Sequence, residues 1–104
     1  MEMGSKNALA VMDDADIDLA VACAVNGAFG GTGQKCTASS RIIVHDAVYD
    51  QFTDKMLAAT RALKVGHALE DGTQIGPVVS EGQLSENLDY VALASSEGLS
   101  LIHI

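Results

Sequence analysis

Ala8-Leu9-Ala10-Val11-Met12, followed at once by Asp13-Asp14-Ala15-Asp16, is the stretch that decides the fold. A continuous apolar run of this length suits a strand buried on both faces of a parallel sheet. The aspartates behind it supply N-cap candidates and first-turn acids for a helix. Ile17, Val21, Ala24, Val25 and Ala28 then recur at i, i+4, i+7, i+8 and i+11, an amphipathic stripe. Gly30-Gly31-Thr32-Gly33 breaks that helix. Beyond the Gln34-to-Ser40 loop, Arg41-Ile42-Ile43-Val44-His45 reads as a second strand. Val48, Phe52, Met56, Ala59 and Leu63 read as a second helix, ended by Lys64-Val65-Gly66. Residues 66–79 form an irregular connection punctuated by Gly66, Gly72, Gly76 and Pro77. Ser80-Glu81-Gly82-Gln83 fits a capping box ahead of Leu84, Leu88, Val91 and Ala92, and Glu97-Gly98 a helix stop. The order strand–helix–strand–helix–loop–helix predicts an α/β fold with a parallel sheet. Two strands are too few for a sheet that stands alone, so the piece is not expected to fold unaided.

The chain's 104 residues allow one compact core, and 48% hydrophobic with 19% charged residues is a globular composition. Six Lys and Arg against 14 Asp and Glu leave a net charge of −8. The last of those bases is Lys64, so residues 65–104 carry six acids and none of the Lys or Arg. Nucleic-acid binding is excluded, because phosphate contacts need clustered Lys and Arg. No apolar run approaches the roughly 20 residues that cross a bilayer, and Met1-Glu2-Met3-Gly4 is no signal peptide. No membrane partner is expected, and the expected location is cytoplasmic. The ends are odd for a domain. Glu2-Met3-Gly4-Ser5-Lys6-Asn7 runs directly into the first strand, and Leu99-Ser100-Leu101-Ile102-His103-Ile104 is uncharged and mostly apolar.

Cys36 is the sharpest chemical candidate. It follows the glycine-rich break and precedes Thr37-Ala38-Ser39-Ser40, in a polar loop. Lys35 and Arg41 nearby would favour the thiolate, which is the nucleophilic form; an ordinary loop cysteine is the plain alternative. Cys23, between Ala22 and Ala24 on the first helix, reads as a small buried hydrophobe. The glycines do not make a phosphate loop: they close a helix rather than open one, and Cys36 stands where a third Gly belongs. His45, His67 and His103 lack ligand spacing, and Asp13, Asp14, Asp16 and Asp18 suit capping better than a metal. Glu2 is open between an exposed terminus and a base held on a turn.

These residues together resemble a known family. Glu2-Met3-Gly4-Ser5-Lys6-Asn7 is similar to the aldehyde dehydrogenase motif E-L-G-G-K-N/S. Gly33-Gln34-Lys35-Cys36-Thr37-Ala38-Ser39-Ser40-Arg41 resembles that family's G-Q-x-C-x-A-x-S-R, and Glu2 and Cys36 stand 34 residues apart, as in the family. Asp13-Asp14-Ala15-Asp16 and Gly76-Pro77-Val78-Val79 resemble further landmarks. The resemblance covers residues 2–98, which it identifies as a partial catalytic domain; residues 99–104 do not resemble the family and read as a foreign tail. Lys35 and Ser39-Ser40 look most like enzymes that oxidise 2-oxoglutarate semialdehyde (2,5-dioxopentanoate). Ser5 replaces the second Gly of the first motif and Met3 its Leu.

The resemblance implies an oxidoreductase that converts a small aldehyde to an acid with NAD or NADP. Cys36 would attack the aldehyde carbon, and its backbone N–H would form half of an oxyanion hole. Hydride would pass to the nicotinamide, and Glu2 would activate the water that hydrolyses the thioester. The family's cofactor-binding half and its oligomerisation strand have no counterpart in this chain. The isolated piece is therefore expected to be inactive, and the full-length protein a homo-oligomer. Two rivals stand beside this reading: a non-enzymatic module using the acidic 65–104 region as a partner surface, and a thiol-redox protein. The second lacks C-x-x-C.

Overall fold

A computed structural model of the protein describes residues 5–98. Glu2 and the 99–104 tail, with the expectations attached to them, lie outside the described residues. Strand β1 (Asn7–Val11), helix α1 (Ile17–Phe29) and strand β2 (Ser39–Val44) come first. Helices α2 (Tyr49–Arg61) and α3 (Glu81–Ser96) follow. β1 and β2 pair in parallel, so β1–α1–β2 is a crossover unit of the kind the sequence order predicts.

Local signals explain the boundaries. The Asp16 carboxylate accepts the Leu19 N–H at 3.1 Å and starts α1. The Ser80 hydroxyl accepts the Gln83 N–H at 3.2 Å and starts α3. Only half of the expected capping box forms, since the Gln83 side chain turns forward and donates to Asn87 Oδ1 at 2.9 Å. Gly98, at φ 76, ends the helix where the glycine stop was expected.

The core lies between the sheet, α1 and α2. Val11, Ile17, Val21, Ala24, Val25 and Phe52 are buried, with Leu9, Ile42, Val44, Met56 and Leu63 half-buried against them. The α1 and α2 stripes read from the sequence thus face each other. The strands, however, are covered on one side only. Leu9, Val11, Ile42 and Val44 face the helices, whereas Ala8 and Ala10 and their partners Arg41 and Ile43 are exposed. The expectation of a strand buried on both faces therefore fails here, because no second layer lies over that face among the described residues.

The same cause corrects the reading of Cys23, which is exposed. α1 meets its neighbours through Ile17, Val21, Ala24 and Val25, and the opposite side, with Leu19 and Cys23, is uncovered. The α3 stripe is uncovered too, with Leu84, Leu88 and Val91 all exposed. The connection between α2 and α3 is more ordered than its composition suggests. The Lys64 carbonyl accepts the N–H groups of Gln74 and Ile75 at 2.9 and 3.2 Å, and Gly66 N–H donates to the Ile75 carbonyl at 3.1 Å. Residues 64–75 thus close on themselves as a compact surface loop. No helix among the described residues is long and apolar enough to cross a membrane.

Candidate active site

Cys36 lies on the loop between the tight turn Gly30–Gly33 and β2, and it is exposed. The loop begins with three consecutive left-handed residues: Gly31 (φ 63), Thr32 (φ 61) and Gly33 (φ 70). Glycine suits such a bend, and at Gly33 it is also required by space: a Cβ there would stand 3.0 Å from the Ala28 carbonyl oxygen. Thr32 is the anomaly, since a β-branched residue in this region carries a cost of roughly 1–2 kcal/mol.

The two sequence motifs are sewn together at this point. Asn7 Nδ2 donates to the Cys36 carbonyl at 2.7 Å and to the Ala38 carbonyl at 3.1 Å. The Ser40 hydroxyl donates to the Asn7 carbonyl at 3.4 Å, and the Arg41 guanidinium donates to the Lys6 carbonyl. The strand register is interrupted here as well. Asn7 pairs with Ser39 but Ala8 with Arg41, so Ser40 is an extra residue in β2, a bulge beside the cysteine loop. Ser5, where the resembled motif has glycine, sits at φ 76. The left-handed bend accounts for the motif's preference, since only glycine enters that region freely.

A cavity of about 520 Å³ opens over these residues, lined by Ser5, Gly33, Gln34, Lys35, Cys36, Ala38 and Ser40. Of the two cations expected to act on the thiol, one is engaged elsewhere. Arg41 holds the Lys6 carbonyl. The Lys35 stem lies over Gly31, and its ammonium ends 3.4 Å from where a Gly30 Cβ would be, beside Asn26. Its charge thus sits at the carbonyl end of α1, where a cation is favoured.

A third side of the site comes from far along the chain. The Thr32 hydroxyl reaches the Gly76 and Pro77 carbonyls at 3.2 and 3.4 Å, and Val79 N–H donates to Gln34 Oε1 at 3.1 Å. The structure therefore brings Cys36, Ser39–Arg41, Lys6–Asn7 and the 76–79 segment together. Cys23 is on the helix and outside this group. Asn7 and Thr32 had no role in the sequence reading. A threonine standing alone among glycines was the available signal for Thr32, and the last residue of the first motif for Asn7.

The aldehyde dehydrogenase family model matches residues 1–103. The chain is 42% identical over 102 residues to an α-ketoglutaric semialdehyde dehydrogenase from Bacillus subtilis (strain 168), covering 98% of this chain and 21% of that protein. It is 45% identical over 103 residues to a 2,5-dioxopentanoate dehydrogenase from Saccharolobus solfataricus, covering 99% of this chain and 21% of that protein. Among solved structures, a betaine aldehyde dehydrogenase from Staphylococcus aureus in complex with NAD+ superposes with a TM-score of 0.87. Its identity is 36%, over 93% of this chain and 19% of that one. The chain thus spans about a fifth of the length of these relatives.

Proposed function

The chain belongs to the aldehyde dehydrogenase family, and from that premise we propose that it carries the nucleophile of an NAD(P)-linked aldehyde oxidation, with Cys36 attacking the aldehyde carbon. The observation that carries this reading is the exposed Cys36 on a loop whose carbonyls are pinned by Asn7, facing a cavity of about 520 Å³. In that setting the sulfur adds to the carbonyl carbon to give a thiohemiacetal, and the Cys36 backbone N–H faces the developing oxyanion. Glu2 is assigned the base that later activates a water on the acyl-cysteine. The proposed substrate is 2-oxoglutarate semialdehyde, a reading supported by the similarity to the α-ketoglutaric semialdehyde and 2,5-dioxopentanoate dehydrogenases above.

The described residues do not fit a dinucleotide. A nicotinamide cofactor is gripped by a glycine-rich turn that opens a helix after a strand. Here Gly30–Gly33 follows the C-terminus of α1. None of these residues is therefore assigned to NAD or NADP, and oxidation of the thiohemiacetal lies outside what they do. By itself the chain is proposed to be inactive. The whole protein is proposed to act as a homo-oligomer in the reducing cytoplasm, which the two free thiols suit.

The test is a transplant of residues 2–98 into the matching span of the Bacillus subtilis relative. The chimera is expected to reduce NAD or NADP with 2-oxoglutarate semialdehyde, and Cys36→Ala to abolish that activity. A chimera that stays active with Cys36→Ala refutes the role of Cys36. Reduction of NAD or NADP by the purified 104-residue chain with an aldehyde refutes the inactivity of the piece.

A further inference from the structure

We propose that Thr32 is a positioning residue for Cys36, its hydroxyl fastening the cysteine loop to the 76–79 segment. The proposal rests on the reading of Cys36 as the nucleophile. Thr32 holds φ 61 and ψ 25 between two glycines that also have positive φ. A β-branched residue enters this region only where its surroundings over-determine it. The over-determining contact is polar. The hydroxyl proton is shared between the Gly76 carbonyl at 3.2 Å and the Pro77 carbonyl at 3.4 Å.

Gln34 supplies a second tie two residues later, accepting the Val79 N–H at 3.1 Å. Thr32 and Gln34 thus bind the Gly76 and Pro77 carbonyls and the Val79 N–H of one segment, and Cys36 stands two residues beyond Gln34. From the other side Asn7 holds the Cys36 and Ala38 carbonyls. The cysteine is therefore suspended between two anchors, one of them a segment 44 residues away that holds the loop by hydrogen bonds to its backbone groups. Valine has the shape of threonine and the same unfavourable backbone, but no proton to share. The hydroxyl is what the position requires.

Amide hydrogen exchange on the full chain tests this, in sulfate buffer at low temperature to favour the folded state. Thr32→Val is expected to speed exchange at Gln34, Ala38 and Val79 about fivefold, the worth of one net hydrogen bond. The α1 amides of Val21 to Val25 should be unchanged. Thr32→Ser, which keeps the donor, is expected to stay within about a factor of two of wild type. Alkylation of Cys36 relative to Cys23 supplies the second readout. It should follow the same split, Thr32→Ser matching wild type and Thr32→Val collapsing the difference between the two thiols. Equal exchange in Thr32→Val and wild type overturns the proposal, as does Thr32→Ser behaving like Thr32→Val. Absence of protection at Gln34 and Val79 in wild type, with Val21 to Val25 protected, overturns it too. Indiscriminate alkylation in wild type, with the exchange pattern intact, instead removes Cys36 as an activated nucleophile and leaves the fastening in place.

Discussion

Replacing either of the two left-handed glycines ahead of Cys36 with alanine separates backbone strain from collision. Gly31 and Gly33 have nearly the same φ, 63° and 70°. A Cβ in that region costs about 1 kcal/mol at either site, and the gain from stiffening the unfolded chain is common to both. Their surroundings differ. At Gly31 the new methyl meets only the Lys35 side chain, at 3.8 Å, which is ordinary contact. At Gly33 it meets the Ala28 carbonyl oxygen at 3.0 Å, backbone that belongs to the last turn of α1 and cannot move alone. Relieving that overlap adds a cost on the order of 1–2 kcal/mol, the range for overpacking a fixed site. Gly33→Ala should therefore lose about 1 kcal/mol or more relative to Gly31→Ala. In urea unfolding followed by circular dichroism, that places its midpoint about 1 M lower. The measurement is made in sulfate, which raises the starting stability of so small a core. A Gly33→Ala midpoint equal to or above that of Gly31→Ala refutes the collision argument.

Two further contacts give expected outcomes. Asn7→Ala removes both bonds to the Cys36 and Ala38 carbonyls, and is expected to cost about 1–3 kcal/mol in the same unfolding assay. Asn7→Asp should cost more, since it turns an acceptor toward two carbonyls; equal midpoints for the two variants would discount the donor role. The ion pair between Lys55 on α2 and Asp18 on α1 is exposed, with side chains 41% and 81% accessible. Lys55→Ala should move stability by less than about 1 kcal/mol, with the difference vanishing at high salt.

Local grammar carried much of the fold. Asp16 and Ser80 were recognisable as caps, and the stripes from Ile17 and Val48 as helices with one apolar side, because these signals act over a few residues. Family membership was legible in the two motifs, and the family match agrees with it. What escaped depends on partners distant in the chain. Thr32 reaches Gly76 across 44 residues and Asn7 reaches Cys36 across 29, and no periodicity encodes either bond. Burial escaped for a related reason. Apolar residues say where cover is preferred, but Cys23 on α1, Ile43 on β2 and Leu88 on α3 show that preference unmet among the described residues.

The bulge at Ser40 has a consequence for how the chain tolerates changes in length. Side chains alternate across a strand, so losing one residue exchanges the two faces for everything upstream of the loss. Deleting Ser40 would restore even pairing with β1, and would also bring the cysteine loop onto the sheet half a pleat out of phase. Cys36 would then arrive from the wrong side of Asn7. Ser40 is a spacer that matches the phase of the loop to the phase of the sheet. Added residues are better absorbed in the self-closed loop between Lys64 and Ile75, whose tip at Leu69 is exposed.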